Sequence, residues 1–368
     1  MSVTIKDVSK DAGVSIKTVS RVINNEANVA IATKDKVFAS VKKLGFKPNK
    51  NAQNLRSKKS YLNGRVMLVD IGGTNIRIAT ADIGSTDLKN TRKESLDCLD
   101  SFEEILQGFL NNDLSIKHIV FSIAGPKLHN SISMTNRQFE IDEVYILRKF
   151  KVDSCYILND WESIGHGLSL LTNDEMNIIN EGNPFNETAL IIGPGTGLGA
   201  ALVIKDNIVL PTEIGNSSLS IPKLFKELGL SKISDLNVIE DLISGGGLSK
   251  IYSYFSGSEK SPEEIVTTYH SDEFAQKSIN IFLKSISQLL SEFALAYMPG
   301  KGIFLAGGLI RSLYEFIDSD FFMKNFLVNR KSMHADVLAQ MPVVLINQKM
   351  TCLHGSLNFI NQLNQNLK

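Results

Sequence analysis

Apolar residues recur at helical spacing at the start of the chain and in strand-like runs further on, and this change of period divides the sequence. Ile5, Val8 and Ala12 share one face of a short helix that Thr4 and Asp7 open, as an N-cap and the acid that reciprocates it. Gly13, Val14 and Ser15 form a three-residue turn. In the helix that follows, Val19, Val22 and Ile23 face inward while Lys17, Thr18, Ser20 and Arg21 face outward. A third helix from Thr33 to about Lys43 supplies Val37, Val41 and Leu44 as the apolar surface the first two need. The spacing predicts a small helix-turn-helix bundle.

Beyond residue 64 the period changes. Residues 66–69 read as a buried strand running into Asp70, Ile71, Gly72, Gly73, Thr74 and Asn75, and residues 76–80 alternate as its hairpin partner. A second copy follows. Residues 189–192 form a strand, Gly193, Pro194, Gly195, Thr196, Gly197, Leu198 and Gly199 form the loop, and residues 200–204 return. Such glycines let backbone N–H groups approach phosphate oxygens, and a carboxylate such as Asp70 can hold a hydrated Mg²⁺. One glycine turn is weak evidence, but two strand–loop–strand units suggest a duplicated α/β domain with a nucleotide between its halves.

Carboxylates stand where chemistry would need them. Residues 155–158 predict a strand that ends in Asn159 and Asp160, just before a helix carrying Ile164, Leu168 and Leu171. A side chain at a strand's C-terminal end projects into the cleft where such folds keep ligands. Glu213 follows residues 209–211, and Glu240 precedes the glycine run 245–247. Residues 302–305 form a strand leading to Ala306, Gly307 and Gly308, whose bare backbone admits a flat base.

Charge sharpens the division. Residues 1–60 hold 13 Lys/Arg against 4 Asp/Glu, so a formal net charge of zero conceals a basic head and an acidic body. That is the footprint of a protein that grips polyanionic backbone at one end. Three scattered cysteines, Cys98, Cys155 and Cys352, argue against a disulfide framework or a zinc site and fit a reducing cytoplasm. Charges near the N-terminus, and the lack of an 18-residue apolar run, argue against secretion and membrane spanning.

The run from Val3 to Ser60 resembles the headpiece of the lactose-repressor (LacI) family, carried by Thr4 to Val8, Ala12 to Ser15 and Thr18 to Asn24. By that resemblance Ile16, Lys17 and Arg21 read base edges in the major groove of a double-stranded DNA operator. Thr4, Ser15, Thr18, Ser20 and Asn24 would bond phosphates. Residues 48–55 resemble the family's hinge helix, with Leu55 as the minor-groove wedge, and imply a homodimer on DNA.

From about Arg65 to Gly355 the chain resembles the bacterial glucokinase family of the hexokinase and actin-like superfamily, in place of the sugar-binding domain that LacI relatives carry. The implied fold class is α/β: a duplicated actin-like, ribonuclease H-like ATPase fold of two lobes after a small all-α domain. The implied domains are residues 1–60, a small lobe of 64–171 with 352–368, and a large lobe of 172–351. The resemblance makes Asp70, Gly72, Gly73, Thr74, Asn75, Gly193, Gly195, Thr196 and Gly197 phosphate-loop residues, and gives Gly307 and Gly308 to the adenosine site. ATP and Mg²⁺ are the implied cofactors. Asn136, Asn159, Asp160, Glu213, Asn216 and Glu240 would hold glucose or a related hexose, with Asp160 as general base. Two departures stand out: Asn216 occupies a position where the family has histidine, and Gly246 one where it usually has proline. Two function classes follow, an active hexose kinase that binds DNA and a sugar-sensing repressor whose kinase fold is silent.

Overall fold

The computed structural model describes residues 3–23, 29–46, 62–72, 75–95, 99–128, 131–133, 140–218, 225–226, 228–230, 233, 235–348 and 351–366. The expected hinge segment with Leu55, and also Asn24, Gly73, Thr74 and Asn136, lie outside these. The chain divides into two compact units, the first ending at Tyr61 and the second spanning Leu62–Asn366.

The first unit holds α1 (Ile5–Ala12), α2 (Ile16–Ile23) and α3 (Ile31–Leu44). The Asp7 carboxylate accepts from the Thr4 backbone N–H at 2.8 Å and from its hydroxyl at 2.7 Å, which fixes the start of α1. Gly13, at φ 64°, ends it in the left-handed conformation that a side chain would strain. Val8, Val19, Val22 and Val37 form the core, each at most 2% exposed. α3 begins two residues earlier than the apolar spacing predicts, because the Ala30 carbonyl already accepts from the Thr33 and Lys34 N–H groups. A first turn held by the backbone shows no apolar period.

The second unit contains two similarly wired sheets. In chain order its strands are β1 (Arg65–Ile71), β2 (Asn75–Asp82), β3 (Lys89–Ser95), β4 (Ile116–Ile123), the short β5 (Lys127–Leu128), β6 (Ser131–Ser133) and β7 (Glu140–Asp142), and β8 (Ser154–Asn159). They continue with β9 (Met176–Asn180), β10 (Thr188–Pro194), β11 (Leu198–Ile204), β12 (Ile208–Thr212), β13 (Gly302–Leu305) and β14 (Val343–Ile346). The first sheet runs β3-β2-β1-β4-β8 and the second β12-β11-β10-β13-β14-β9. Each opens with an antiparallel meander and continues with parallel strands, β4 and β8 in one, β13 and β14 in the other. This is the duplicated two-lobed architecture that the paired glycine loops predict.

Both faces of each sheet are covered. Helix Leu99–Asn112 buries Phe102 and Leu106 on the outer face of the first sheet, and the 25-residue helix Glu273–Tyr297 covers the second with Ile279, Phe282 and Leu290. Each such buried side chain contributes roughly 1.5–3 kcal/mol. Between the sheets lie the helix Asp160–Gly167 and the C-terminal helix Thr351–Asn366. These two cross almost backbone to backbone: a Cβ on Gly355 would lie 1.6 Å from the Ser163 carbonyl oxygen. On its other side the first helix presents Gly165 to Val209 and packs Ile164 against residues of β10, β11 and β12. The predicted helix stops at Gly167 and tightens into a 3-10 turn, Leu168–Leu170, so Leu171 lies past it and only packs against the same cluster. A helix wedged between two sheets fixes its N-terminal residue, Asp160, relative to both.

Candidate active site

The second glycine hairpin owes its shape to close approach. β10 and β11 pair so that Gly193 faces Gly199 and Pro194 faces Leu198. A Cβ on Gly193 would lie 1.6 Å from the Ala306 carbonyl oxygen, and one on Gly199 1.6 Å from Nε1 of Trp161. Only bare backbone leaves room for the indole. At the tip Gly195 and Thr196 are exposed; the Gly195 N–H donates to the Gly197 carbonyl at 2.8 Å and the Gly195 carbonyl accepts from Gly245 at 2.9 Å. Gly307, at φ 111°, stands 3.2 Å from the Pro194 carbonyl by the same measure, and Gly308 faces open space. Gly193, Gly195, Thr196, Gly197, Gly307 and Gly308 thus belong to one wall.

The other wall comes from the first sheet. Asp70 lies near the end of β1, 6% exposed, and its Oδ2 accepts from Nη1 of Arg77 at 2.9 Å. The Gly72 N–H donates to the Asn75 carbonyl at 3.0 Å, which closes the hairpin. Burial raises the Asp70 carboxyl above its ordinary value although Arg77 opposes the shift. Across the parallel ladder Ser122 is register-paired with Asp70, and its hydroxyl is buried beside the Cys352 thiol.

Asp160 is the first residue of its helix. The Asn159 side chain caps that helix, its Oδ1 accepting from Trp161 at 2.9 Å and Glu162 at 3.3 Å, while its Nδ2 donates to the Gly125 carbonyl at 2.9 Å. Most of the bonding capacity expected for a sugar is therefore committed to the backbone, which leaves one amide N–H to offer. Burial pushes the Asp160 carboxyl up to about 7, against the N–H that Trp161 donates to it, and the charges of Asp70 and Glu213 push the same way. Glu240 accepts from the Leu198 N–H at 3.2 Å, and its Oε2 would meet a Cβ on Gly197 at 2.4 Å. Partial desolvation and then the charge of Glu240 raise Glu213. Asn216, exposed, donates its backbone N–H to the Glu213 carbonyl at 3.0 Å. The four acids are thus neighbours in one cleft, though 53 to 170 residues separate the acids of the first sheet from those of the second.

Several residues of this cleft carry no signal in the sequence. Trp161 sits on the glycine hairpin, and Arg77 holds Asp70. The Cys352 thiol lies 3.9 Å from the Asp160 carbonyl oxygen; burial, then the charges of Asp70 and Asp160, holds it well above the usual thiol range. Each contact joins residues distant in the chain, so local period could not reveal it. A search for mutual packing of glycines and large aromatics could have flagged Trp161, the only tryptophan.

In the first unit Ile16 is 44% exposed, and Lys17 and Arg21 are exposed on the same helix. Thr18 and Ser20 are half-buried. Hydroxyls expected on phosphates already have local partners: Ser15 Oγ accepts from the Thr18 N–H at 3.0 Å and lies 2.8 Å from the Thr18 hydroxyl, and the Thr4 hydroxyl donates to Asp7.

Comparison with known proteins supplies the context. Residues 67–363 match the family model described as Glucokinase, and residues 4–49 match that of Bacterial regulatory proteins, lacI family. A glucokinase of a Nostoc species is 24% identical over 336 residues, covering 78% of this chain and 96% of its own. Among solved structures, a glucokinase from an Antarctic psychrotroph superposes with a TM-score of 0.69 at 22% identity, covering 82% of this chain and 100% of that one. A ROK family glucokinase from Streptomyces griseus, in complex with glucose and AMPPNP, gives 0.59 at 15% identity, with 81% and 100% covered. These similarities in structure show a common fold.

Proposed function

We propose, because the chain belongs to the glucokinase family, that its second unit transfers the γ-phosphoryl group of ATP to the 6-hydroxyl of glucose or a related hexose, with Asp160 as the base. The observation that carries this reading is Asp160 itself. It starts a helix wedged between both sheets, beside the indole that lies on the second glycine hairpin, with its carboxyl pushed up to about 7. A base works best when its pKa lies near the working pH, because it is then both deprotonated and a strong enough acceptor.

The chain's own groups perform the steps. Asp160 accepts the hydroxyl proton as the sugar oxygen attacks phosphorus in line. Glu213, Glu240 and the remaining Asn159 N–H orient the sugar, with Asn136 and Asn216 at its edge. Backbone N–H groups of the two glycine loops that are not already spent within their own hairpins receive the charge that develops on phosphate oxygens. The bare backbone of Gly307 and Gly308 takes the adenosine. Among the described residues no cluster of three His, Cys, Asp or Glu could hold a metal. A single buried carboxylate such as Asp70 suits a hydrated Mg²⁺, which is ordinarily bound through one or two carboxylates, waters and substrate phosphates. Asp70 would hold it through water, with the buried Ser122 hydroxyl beside it; when bound it neutralises charge on the triphosphate.

The first unit gives the protein a second ligand. We assign it a DNA operator, with Ile16, Lys17 and Arg21 reading base edges, Thr4, Ser15, Thr18, Ser20 and Asn24 on phosphates, and Leu55 as the wedge between paired copies. The hinge-helix resemblance implies a homodimer, placed in the cytoplasm, and joining the two functions makes its operator affinity respond to hexose. Among the described residues no helix is long and apolar enough to cross a membrane. One observation favours a second reading, a sugar sensor without turnover: Asn216 cannot take the proton or reach of the histidine expected there. A coupled assay of ATP consumption over a panel of hexoses decides between them. Hexose-dependent turnover supports the kinase, and its complete absence with retained sugar binding supports the sensor. Operator binding at fixed salt, with and without glucose, tests the coupling, and unchanged affinity refutes it.

A further inference from the structure

The C-terminal helix Thr351–Asn366 carries no Asp, Glu, Lys or Arg, and its second half is rich in amides. Asparagine is a poor choice inside a helix, because its side chain competes for backbone bonds. Here the amides hold backbone of other elements. Asn358 Nδ2 donates to the His166 carbonyl, on the Asp160 helix, at 2.6 Å. Asn361 accepts from the Gly84 N–H at 2.7 Å and donates to the Ser85 carbonyl at 2.8 Å, in the turn after β2. Gln362 Nε2 donates to the Asp206 carbonyl at 3.1 Å, at the tip of the β11–β12 hairpin, and its Oε1 lies 3.2 Å from Nδ1 of His166. Asn364 Oδ1 accepts from the Leu62 N–H at 2.8 Å, and its Nδ2 donates to the Leu62 carbonyl at 3.4 Å.

Leu62 and Asp206 both stand at strand ends remote from the glycine loops. Leu62 precedes β1, which runs into the first loop, and Asp206 follows β11, which leaves the second. Each strand has seven residues, a reach of about 20 Å. At its other end the helix meets the cleft, where the Cys352 thiol lies 3.9 Å from the Asp160 carbonyl oxygen. Leu353, Leu357 and Ile360 pack with Val66 and Leu68, so the helix travels with the first sheet, and Gln362 is a strut to the second. Drawing the two glycine walls together around sugar and nucleotide then shifts Asp206 against the helix, two residues before the clasp on Leu62. Leu62 is the first residue after the unit that ends at Tyr61. A ligand acts on a distant site only through contacts that differ between two states, and the 3.4 Å bond to the Leu62 carbonyl is the longest of the set and the first to yield. We propose that the end of this helix transmits occupancy of the cleft to the operator-binding unit: Gln362 receives the movement of the second sheet, and Asn364 sets how firmly Leu62 is held. The transmission rests on the reading that operator affinity responds to hexose, and it names the residues that carry the response. Neither amide touches the reacting atoms, so both are positioning residues.

Operator affinity of the full chain is measured at fixed salt, on a duplex selected by that chain from a random-sequence pool, without ligand and with glucose plus a non-hydrolysable ATP analogue. The wild type should respond by at least about fivefold, and Asn364→Ala and Gln362→Leu each by less than about twofold. Glucose affinity should be unchanged in both. Asn364→Asp keeps the acceptor for the Leu62 N–H and loses the donor; its response should fall between those of wild type and Asn364→Ala, and with Gln362→Leu it carries the test if Asn364→Ala does not fold. Hydrogen exchange at the Leu62 amide should change in the wild type when both ligands bind. A full response in Asn364→Ala or Gln362→Leu, a parallel loss of glucose affinity, or unchanged exchange at Leu62 overturns the transmission and leaves the coupling reading standing. A wild type whose operator affinity ignores both ligands overturns the coupling reading together with the transmission, and leaves the kinase reading intact.

Discussion

Replacing Asp160 by asparagine should stop turnover and stabilise the protein at the same time. Asparagine keeps an oxygen that accepts the Trp161 N–H, at 3.0 Å in the native chain, and removes the charge. The native carboxyl moves from 3.8 when unfolded to about 7 when folded. Between those values the folded chain holds a proton that the unfolded chain has released, so stability falls as pH rises across the window and the deficit is complete above about 7. At 1.36 kcal/mol per unit, a shift of about three units is worth up to about 4 kcal/mol, an upper bound because the cleft is partly open to water. His166 on the same helix obscures this in the native profile. Burial pulls its pKa down to about 4, so its contribution rises with pH between 4 and 6.5, opposite in sign to that of Asp160. The difference between variant and wild type cancels the His166 contribution. Urea unfolding of both proteins at pH 4 and pH 8 should therefore show little difference at the lower pH and a more stable Asp160→Asn at the higher. A gain that is equal at both pH values, or none at pH 8, would refute a proton-linked cost at this carboxylate and remove the basis for reading it as a poised base.

Other outcomes follow from the same geometry. Gly199→Ala would drive a methyl into the Trp161 indole; it should cost roughly 1–3 kcal/mol by overpacking and shift the Trp161 emission, as calorimetry and fluorescence would show. Gly355→Ala meets the Ser163 carbonyl and should separate the two central helices, lowering the melting temperature of the second unit and leaving the first unit's transition in place. Asn216→His should lower KM for glucose with a smaller change in kcat if that side chain only holds the sugar; an unchanged KM would place Asn216 outside the sugar site. In a gel-shift assay Lys17→Ala should weaken operator binding by roughly 1–3 kcal/mol at its base pair if it reads an edge, and equal weakening on every sequence would make it a phosphate contact instead.

The two hairpins and the Asp160 helix were legible because their signals are local. A short apolar run that ends in glycines has few conformations open to it, and a strand that ends in Asn159 carries its own helix cap. The headpiece was legible for the same reason, since Thr4, Asp7 and Gly13 set helix ends within a few residues of themselves. Long-range contacts were not legible. Nothing near Trp161 in the chain announces that it will lie on Gly199, and Arg77 reads as one more outward residue of an alternating strand until Asp70 is seen opposite it. Asn159 shows the limit from the other side: its position was read correctly, yet its bonding capacity is mostly spent on Gly125 and its own helix. Residue type predicts what a side chain can bond, and only the fold decides what it does bond.

The central claim is that a carboxylate held between two glycine-rich walls takes a proton from a sugar hydroxyl. Its most direct measurement is transfer of labelled γ-phosphate from ATP to glucose by wild type and by Asp160→Ala, at equal occupancy of both substrates. The account predicts labelled glucose 6-phosphate from the wild type and a rate lower by about 10²- to 10⁴-fold in the variant. Equal rates from both, or no labelled sugar from either, would contradict it.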